Sequence, residues 1–582
     1  MGWACELFGA VLRYHMHVRC GVMIAGLVGA VLVAEPVYGQ ASAVGEVRAS
    51  LEMVAGLDGP PGVVSAGGIT RDETPLWTIE NRTPFQEAKA RRRLVLLGGF
   101  EGRSESARVV LDAVRWFKTE ASEADRGRWA VSALPLAEPD SAGVGSSYRF
   151  PPVDGYFDDP DLPESHYVWR WITYQVPDVV VVVTSGGRLR LLAAEDADGS
   201  TPGGVLVRAL ALGVGDSDLG PVEALQVTAS DGDGPALMRA LLSRMPEERS
   251  PLRRALEHRL DRTPLEIARL LAGRYPGTPS MSYIPGVAWV HTLRLARVTG
   301  ESVWRSRVLD QVRPWLTGQQ PLVGETVRFA SLGGAMVFVE LAREGGAEGA
   351  AATVLTREAV RYGATETSPG VPKFGSGWTD DMFLGTVVAS LSGDPDALAA
   401  AARLIIDYAE RLQRPDGIFY HAPDSPAPWG RGNGFAALGL AELLTALPAT
   451  HASRAGVLDI FRRQMEGLVA HQAADGMWFQ VVDTPGSYRE GSVTALAITA
   501  MARGIRLGWL DASYRSVVEQ AWNGLLAHVE LDGELVDVCI STGAGPTRRY
   551  YLDRPAVNGA DDRGGALILG AALEVHALGF RG

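Results

Sequence analysis

Three Asp-Gly turns, spaced almost evenly along the second half of the chain, constrain its fold more than any other feature. They are Asp416-Gly417, Asp475-Gly476 and Asp532-Gly533, which lie 59 and then 57 residues apart. Each follows a helical pattern and precedes a short extended segment, because glycine can adopt the conformation that ends a helix. A helical hairpin repeated at this spacing predicts a helical array.

From about residue 252 onward, apolar residues recur at helical spacing. The pattern predicts twelve helices, at residues 264–273, 284–299, 301–316, 331–344, 347–362, 378–391, 394–413, 431–446, 450–472, 490–507, 511–528 and 564–578. Twelve helices make six hairpins, which predicts a closed double ring, an (α/α)6 toroid. An open solenoid is the alternative.

The first half of the chain has a different pattern. Residues 93–97 and 178–183 are apolar runs typical of buried strands, a third strand is predicted at 204–210, and 104–119 is an amphipathic stretch. Strands that alternate with helices predict an α/β sheet. A chain of 582 residues is also too long for one core. We therefore expect a multidomain protein, with an α/β domain at 43–250 and an all-α domain at 251–582.

The N terminus has the pattern of an export signal. Arg13 and Arg19 precede an apolar run at 20–34, and small residues follow at 39–43. We expect residues 1–42 to be a signal, and the protein to be exported, periplasmic or secreted, with no stable membrane span after cleavage. An uncleaved anchor helix is the alternative. Cleavage leaves Cys539 as the only cysteine, and we expect it in the core.

The net charge of −13 argues against non-specific binding to nucleic acid. Within the first half, Gly98-Gly99-Phe100-Glu101 follows a predicted strand, in distant resemblance to the zinc carboxypeptidases, whose Gly-Gly-x-His-x-x-Glu motif binds metal. Phe100 or Glu101 stands at the histidine position. A catalytic zinc needs three protein ligands, so we expect neither metal nor cofactor.

Residues suited to chemistry follow one another at the starts of the predicted helices. Asp380 and Asp381 lie beside Trp378 at one such start. Capping explains a single acid there. Two adjacent carboxylates in a partly dry site also tend to push one pKa upward, as a proton donor requires.

The next two segments add a histidine, an arginine and more aromatic rings. His421 ends an aromatic segment, and Arg431 lies among glycines on a turn, where its planar fork suits a carboxylate. Trp429 and Phe435 offer faces on which a sugar could stack. Together with Trp378 and Asp381, these residues predict a pocket for an anionic sugar, in which Asp381 also contacts the substrate.

Residues 260–580 resemble the unsaturated rhamnogalacturonyl hydrolases, glycoside hydrolase family 105, with family 88 more distantly related. The matching segments are Tyr-Ile-Pro-Gly at 283–286, Trp-Thr-Asp-Asp-Met at 378–382, Gly-Ile-Phe-Tyr-His at 417–421 and Trp-Gly-Arg-Gly-Asn-Gly at 429–434, followed by 478–483, 488–495 and 550–558. The resemblance implies the (α/α)6 fold and the release of a terminal 4,5-unsaturated uronic acid from products of polysaccharide lyases.

The resemblance also implies roles for single residues. Asp380 would protonate carbon 4 and then activate the water that adds at carbon 5. Arg431 and His421 would hold the substrate, and Trp378 and Tyr283 would line its subsite. Two positions depart from the family: Phe435 replaces a usual tryptophan, and residues 328–334 contain no counterpart of the family's second acid.

The sequence leaves three functions open. The preferred one is a hydrolase of unsaturated uronyl oligosaccharides. The second is a non-catalytic carbohydrate-binding protein in which both halves have decayed. The third is an inverting glucanase, which needs two carboxylates separated by room for a water.

Overall fold

The computed structural model describes residues 38–86, 91–102, 104–140, 149–152, 163–213, 219–244, 246, 248–368 and 371–580. The predicted export signal lies outside these residues except for 38–42, which begin the first helix. From Gln40 onward the chain forms one compact unit. None of the helices in the described ranges is long and apolar enough to cross a membrane.

The first half of the chain folds around a mixed seven-stranded sheet with the order β1-β2-β4-β3-β5-β7-β6. Its middle strands β4, β3, β5 and β7 are parallel, and β1, β2 and β6 pair antiparallel at the edges. The elements are α1 (Tyr38–Ala55), β1 (Val63–Ile69), β2 (Pro75–Glu80), β3 (Arg92–Leu97), α2 (Ser104–Thr119), α3 (Glu123–Arg128), β4 (Trp129–Leu134), α4 (Pro163–Tyr174), β5 (Val179–Ser185), β6 (Arg190–Ala193), a short 3-10 helix (Ala194–Asp196), α5 (Pro202–Leu212), β7 (Glu223–Ala229) and α6 (Gly234–Leu242).

The sheet confirms two of the three predicted strands, at β3 and β5. The third, predicted at 204–210, is wrong, because those residues lie in α5. Thr201 caps this helix by accepting a hydrogen bond from the Gly204 N–H at 3.2 Å, and Pro202 fills its first turn. A short apolar run fits a buried helix as well as a strand, and here the capping residues decide for the helix.

The second half is almost wholly helical. Its elements are α7 (Pro251–Leu260), α8 (Pro264–Arg274), α9 (Tyr283–Thr299), α10 (Ser302–Leu316), α11 (Phe329–Gly334), α12 (Met336–Glu344), α13 (Gly346–Gly363), β8 (Glu366–Ser368), β9 (Val371–Pro372), α14 (Asp381–Leu384), α15 (Val387–Ser392), α16 (Pro395–Leu412), α17 (Gly430–Ala446), α18 (Arg454–Ala470), α19 (Gly491–Arg506), α20 (Tyr514–Ala527), β10 (Leu535–Cys539), α21 (Arg548–Leu552), β11 (Ala556–Gly559) and α22 (Asp562–Ala577). All twelve predicted helical segments are present, although those at 331–344 and 378–391 are each split into two short helices.

Inner helices of this half contact one another in cyclic order. Helix α9 contacts α22, which contacts α19, then α17, then α14 and α15, then α12, and α12 returns to α9. Helices α8, α10, α13, α16, α18 and α20 pack outside this ring. The starts of four inner helices meet, because Tyr283 of α9 and Phe383 of α14 both contact Phe435 of α17, and Arg431 of α17 donates to Ser492 of α19. The N-terminal ends of these helices therefore lie at one end of the ring.

The three Asp-Gly turns are structurally equivalent. Gly417, Gly476 and Gly533 have φ values of 92°, 91° and 90°, which L side chains rarely adopt. The first two press against the backbone of an outer helix, where an added Cβ would overlap Arg463 and Gln520. The repeat seen in the sequence is thus a repeated contact between each turn and the next outer helix.

The sheet packs directly against loops of the helical half. Gly486 approaches β1 so closely that an added Cβ would lie 2.5 Å from the carbonyl oxygen of Gly68. Arg489 donates to the carbonyl oxygen of Ala66 at 3.2 Å and to Asp475 at 3.0 Å. The two halves therefore share an interface, and the predicted division into domains at 250/251 stays a prediction.

Replacing Gly417 by alanine should destabilise the protein more than the same change at a glycine with open surroundings. A positive φ alone costs an L residue about 1–2 kcal/mol, and the overlap with Arg463 adds to that cost. Gly393 has φ 69° and no atom within 4 Å of an added Cβ. We expect urea denaturation to show a loss of more than about 3 kcal/mol for Gly417→Ala and about 1 kcal/mol for Gly393→Ala. Equal losses would contradict the packing argument.

Candidate active site

The predicted site residues gather where the inner helices begin. Tyr283 opens α9, Asp381 opens α14, and Arg431 lies in the first turn of α17. Helix N-terminal ends carry partial positive charge, so this end of the ring favours an anionic ligand.

The contact between Asp380 and His421 forms the centre of the site. Oδ2 of Asp380 lies 3.1 Å from Nε2 of His421. The histidine is fully buried, whereas the Asp380 side chain is 17 % exposed. The backbone fixes the pair, because the N–H of Thr379 donates to the His421 carbonyl at 3.0 Å. In the described part of the chain Asp380 has no other side-chain hydrogen bond, so Oδ1 is open to a ligand.

Asp381 was predicted to bind substrate, and the structure gives it a different role. It is 2 % exposed, and Oδ2 accepts hydrogen bonds from the N–H groups of Ser376 and Gly377 at 2.7 and 2.8 Å and from the Tyr408 hydroxyl at 2.7 Å. Burial raises the pKa of Asp381 to about 6, against the hydrogen bonds from Tyr408 and Gly377 that lower it. Its carboxyl group anchors the turn that presents Asp380.

Arg431 was predicted to pair with a substrate carboxylate, but its guanidinium is engaged by the protein. It is 2 % exposed and donates to the carbonyl oxygens of Cys539 and Ile540, both at 2.7 Å, and to the Ser492 hydroxyl at 3.3 Å. It also lies 4.7 Å above the Trp429 ring. Arg431 therefore connects residues 539–540 to α17, and its guanidinium is already hydrogen-bonded within the protein.

The aromatic residues divide into exposed and buried groups. Trp378 and Tyr283 are partly exposed, and Trp378 lies 5.5 Å from the His421 ring. Trp429 and Phe435 are each 1 % exposed. Trp429 packs 4.6 Å from His421, and Phe435 meets Tyr283 edge-on at 5.6 Å. Trp378 and Tyr283 can thus face a sugar. Trp429 packs against His421, and Phe435 packs against Tyr283, in the protein interior.

In the segment without a second acid, two glycines are closely packed. Gly333 and Gly334 end α11, and an added Cβ on Gly334 would lie 2.7 Å from the backbone nitrogen of Ser282. A Cβ on Gly333 would lie 3.2 Å from the Tyr283 Cβ. Close packing of α11 against the start of α9 therefore excludes a side chain at Gly334 and disfavours one at Gly333.

Sequence reasoning missed two residues behind His421. The Tyr551 hydroxyl lies 2.7 Å from Nδ1 of His421, and it also contacts the Ser425 hydroxyl. Tyr551 belongs to a segment that matches the family pattern, which was a usable signal. Nothing in the sequence around Ser425 marks it.

The resembling metal motif of the first half does not form a ligand set. Phe100 is buried in the core, and Glu101 accepts hydrogen bonds from the Ser106 hydroxyl at 3.0 Å and the Ser185 N–H at 3.1 Å. In the described ranges no three His, Cys, Asp or Glu side chains are grouped to hold a metal ion. Cys539 is a free thiol and is fully buried.

Comparison with known proteins finds similarity in the helical half. Residues 375–578 match the model of Glycosyl Hydrolase Family 88. The unsaturated rhamnogalacturonyl hydrolase YesR of Bacillus subtilis is 27% identical over 190 residues, which are 31% of this chain and 54% of that protein. An unsaturated 3S-rhamnoglycuronyl hydrolase of Alteromonas sp. is 29% identical over 175 residues, 27% of this chain and 42% of that protein.

The chain spans about half the length of these curated relatives. Among solved structures, a possible member of glycoside hydrolase family 105 from Salmonella enterica is 18% identical, with a TM-score of 0.49, and covers 58% of this chain and 98% of that one. The family match supports the resemblance of the helical half. The carboxypeptidase-like resemblance of the first half gains no support from these comparisons.

Ionisation of Asp381 should make stability depend on pH. A carboxyl group whose folded pKa is raised from 3.8 to about 6 contributes stability below about pH 4, and this is lost as pH rises through 6. Asp381→Asn cannot ionise. We expect the unfolding free energy of wild type, relative to the variant, to fall by up to about 3 kcal/mol between pH 4 and pH 7. Denaturation at several pH values checks this, and a difference independent of pH would contradict it.

Proposed function

We propose that the protein is a hydrolase that releases the terminal 4,5-unsaturated uronic acid from oligosaccharides made by polysaccharide lyases. The domain of Glycosyl Hydrolase Family 88 at residues 375–578 is its catalytic region. The observation that carries the proposal is Asp380, a partly exposed carboxyl group with one oxygen on His421 and the other open. The printed names of two relatives agree with this substrate class.

The proposed reaction needs one carboxyl group that works twice. Asp380 in its acid form donates its proton to carbon 4 of the enol ether, and positive charge develops at carbon 5. The resulting carboxylate removes a proton from the water that adds at carbon 5, which restores the acid. The hemiketal formed in this way opens, and the remaining sugar leaves. Proton and electron pairs balance within this one residue, the substrate and water.

Substrate binding in this proposal depends on stacking and on helix ends. Trp378 and Tyr283 present partly exposed rings beside Asp380. Arg431 is hydrogen-bonded to backbone carbonyls, so in this proposal it does not bind the uronate carboxylate. The partial positive charge of the helix N-terminal ends attracts the carboxylate instead.

Two further features belong to the same proposal. The cyclic order of the inner helices is that of an (α/α)6 toroid, and we propose that architecture for residues 251–582. We also propose that residues 1–42 direct export, so that the enzyme meets its oligosaccharide in the periplasm or outside the cell.

Asp380→Asn should abolish turnover and leave the fold intact. The amide is nearly isosteric but can neither donate the proton nor recover one from water, so we expect a loss of at least about 10³-fold in kcat. The assay follows the enol-ether absorbance of lyase-generated oligosaccharides. Asp394→Asn is the matched control, because Asp394 caps outer helix α16 and asparagine caps equally well. Near-wild-type rates for Asp380→Asn would refute the assignment, and no turnover by wild type of any such oligosaccharide would refute the function.

Arg431→Lys should impair the enzyme without regard to substrate charge. A lysine cannot donate to the carbonyl oxygens of both Cys539 and Ile540 with the geometry of a guanidinium. We expect a similar fall in kcat/KM for the free uronate and for its methyl ester, together with a lower denaturation midpoint. A loss confined to the free acid would show instead that Arg431 pairs with the substrate carboxylate.

A further inference from the structure

A closed set of buried hydrogen bonds lies on the side of His421 away from Asp380. The Tyr551 hydroxyl lies 2.7 Å from Nδ1 of His421 and contacts the Ser425 hydroxyl. The Ser425 hydroxyl also lies 2.6 Å from the Gly545 carbonyl oxygen, and the Gly545 N–H points at the Tyr551 hydroxyl at 3.1 Å. His421, Ser425 and Tyr551 are each fully buried.

The direction of every hydrogen bond in this set is fixed by counting hydrogens. The Gly545 carbonyl can only accept, so Ser425 must give it its single hydrogen. The contact between Ser425 and Tyr551 then needs the tyrosine hydrogen, since two oxygens without a hydrogen between them repel. Tyr551 has no further hydrogen, and it accepts from the Gly545 N–H. Its contact with His421 can therefore be satisfied only if Nδ1 of the histidine carries a proton.

A proton on Nδ1 determines what lies between His421 and Asp380. A neutral imidazole has one donor and one acceptor nitrogen, so Nε2 would then present a lone pair to Oδ2 of Asp380 at 3.1 Å. A lone pair and a carboxylate repel in a buried site. The contact is favourable only with one proton in it, either on the carboxyl group or on an imidazolium.

We propose that Tyr551 and Ser425 are positioning residues that fix the protonated nitrogen of His421 and so keep one proton between Nε2 and Asp380. This rests on the proposed function in one respect, because it supplies the acid form of Asp380 that protonates carbon 4. The proton reaches the substrate when the carboxyl group of Asp380 rotates about its Cβ–Cγ bond and turns Oδ2 from Nε2 toward carbon 4. The water that adds at carbon 5 returns one proton to the same carboxyl group, which can rotate back to His421. Neither positioning residue touches the substrate.

Two variants and one control test the proposal. Ser425→Ala removes the acceptor of the tyrosine hydrogen, so Tyr551 turns its hydrogen to Nδ1 and the histidine must carry its proton on Nε2. Tyr551→Phe removes the acceptor of the Nδ1 proton but keeps the ring that packs 5.6 Å from His421. Tyr275→Phe is the control, because Tyr275 is also buried and donates one hydrogen bond, to the Gly533 carbonyl at 3.1 Å, away from the site.

The first readout needs no substrate. Nitrogen-15 spectra of histidine-labelled full-length protein, with His421 assigned from a His421→Gln sample, report which ring nitrogen carries a proton. We expect Nδ1 to be protonated in wild type and in Tyr275→Phe, and Ser425→Ala to shift the proton to Nε2. A wild-type His421 protonated only at Nε2 would overturn the proposal, as would a Ser425→Ala spectrum identical to that of wild type.

The second readout is turnover of unsaturated oligosaccharide. We expect kcat to fall by at least about tenfold in Ser425→Ala and Tyr551→Phe, with KM little changed, and to stay within about twofold in Tyr275→Phe. Unchanged kcat in both site variants would refute the role in proton supply. If the spectra behave as expected while wild type hydrolyses no such substrate, the histidine arrangement stands and the proposed function fails. If Tyr551→Phe does not fold, Ser425→Ala decides alone.

Discussion

The hydrogen-bonded contact between Asp380 and His421 is the interaction on which the site depends. It joins the turn before α14 to the segment that ends at His421, about forty residues later in the chain. The backbone hydrogen bond from Thr379 to the His421 carbonyl fixes the position of one segment relative to the other. Asn433 extends the connection, since its side chain bonds both the N–H and the carbonyl of Phe419. Thr379, His421 and Asn433 are fully buried, so the loss of a partner by any of them would leave an unsatisfied group at a cost of about 1–3 kcal/mol.

Acidic residues at the helix starts have separate tasks that follow from their burial. Asp381 is bonded on every side and anchors the turn before α14. Glu490 is fully buried and accepts from the N–H groups of Ser492, Val493 and Cys539. Asp380 directly precedes Asp381 at the start of α14, and among the described residues it accepts a side-chain hydrogen bond on one oxygen only. The acids at these helix starts thus differ in their hydrogen bonds: Asp381 and Glu490 are held by backbone N–H groups, whereas Asp380 keeps an oxygen that can contact a ligand.

The sequence predicted the helical half well because its signals are local. Helical spacing and the Asp-Gly turns depend on neighbouring residues, and the turns at Gly417 and Gly476 have the expected positive φ. The strand predicted at 204–210 failed because a short apolar run does not distinguish strand from buried helix. The splits at Ala335 and Gly385 lie beside close contacts with distant residues, since Gly334 packs on Ser282 and Gly385 on Phe329. Such contacts leave no local pattern.

The sequence predicted which residues belong to the site better than it predicted the role of each one. Composition at the helix starts indicated Asp380, His421 and Trp378, and the structure brings these three together. The role of Arg431 could not be read in the same way, because its partners are backbone carbonyls more than a hundred residues away. Any residue type offers a carbonyl, so a sequence cannot show which arginine is already engaged. Ser425 escaped notice for the same reason.

The acids next to Asp380 bear on two kinds of sugar chemistry. An inverting glucanase needs an acid and a base with space for a water between them. Of the acids beside Asp380 in the described part of the ring, Asp381 and Glu490 are fully engaged by the protein. At the end of α11, an acidic side chain at Gly334 would overlap the backbone of Ser282. A double bond activated toward protonation removes the need for the second group, because one carboxyl can give a proton and then take one from water. The open carboxyl group of Asp380 is therefore sufficient for the proposed hydration of an enol ether, whereas an inverting glucanase would need a second open acid beside it.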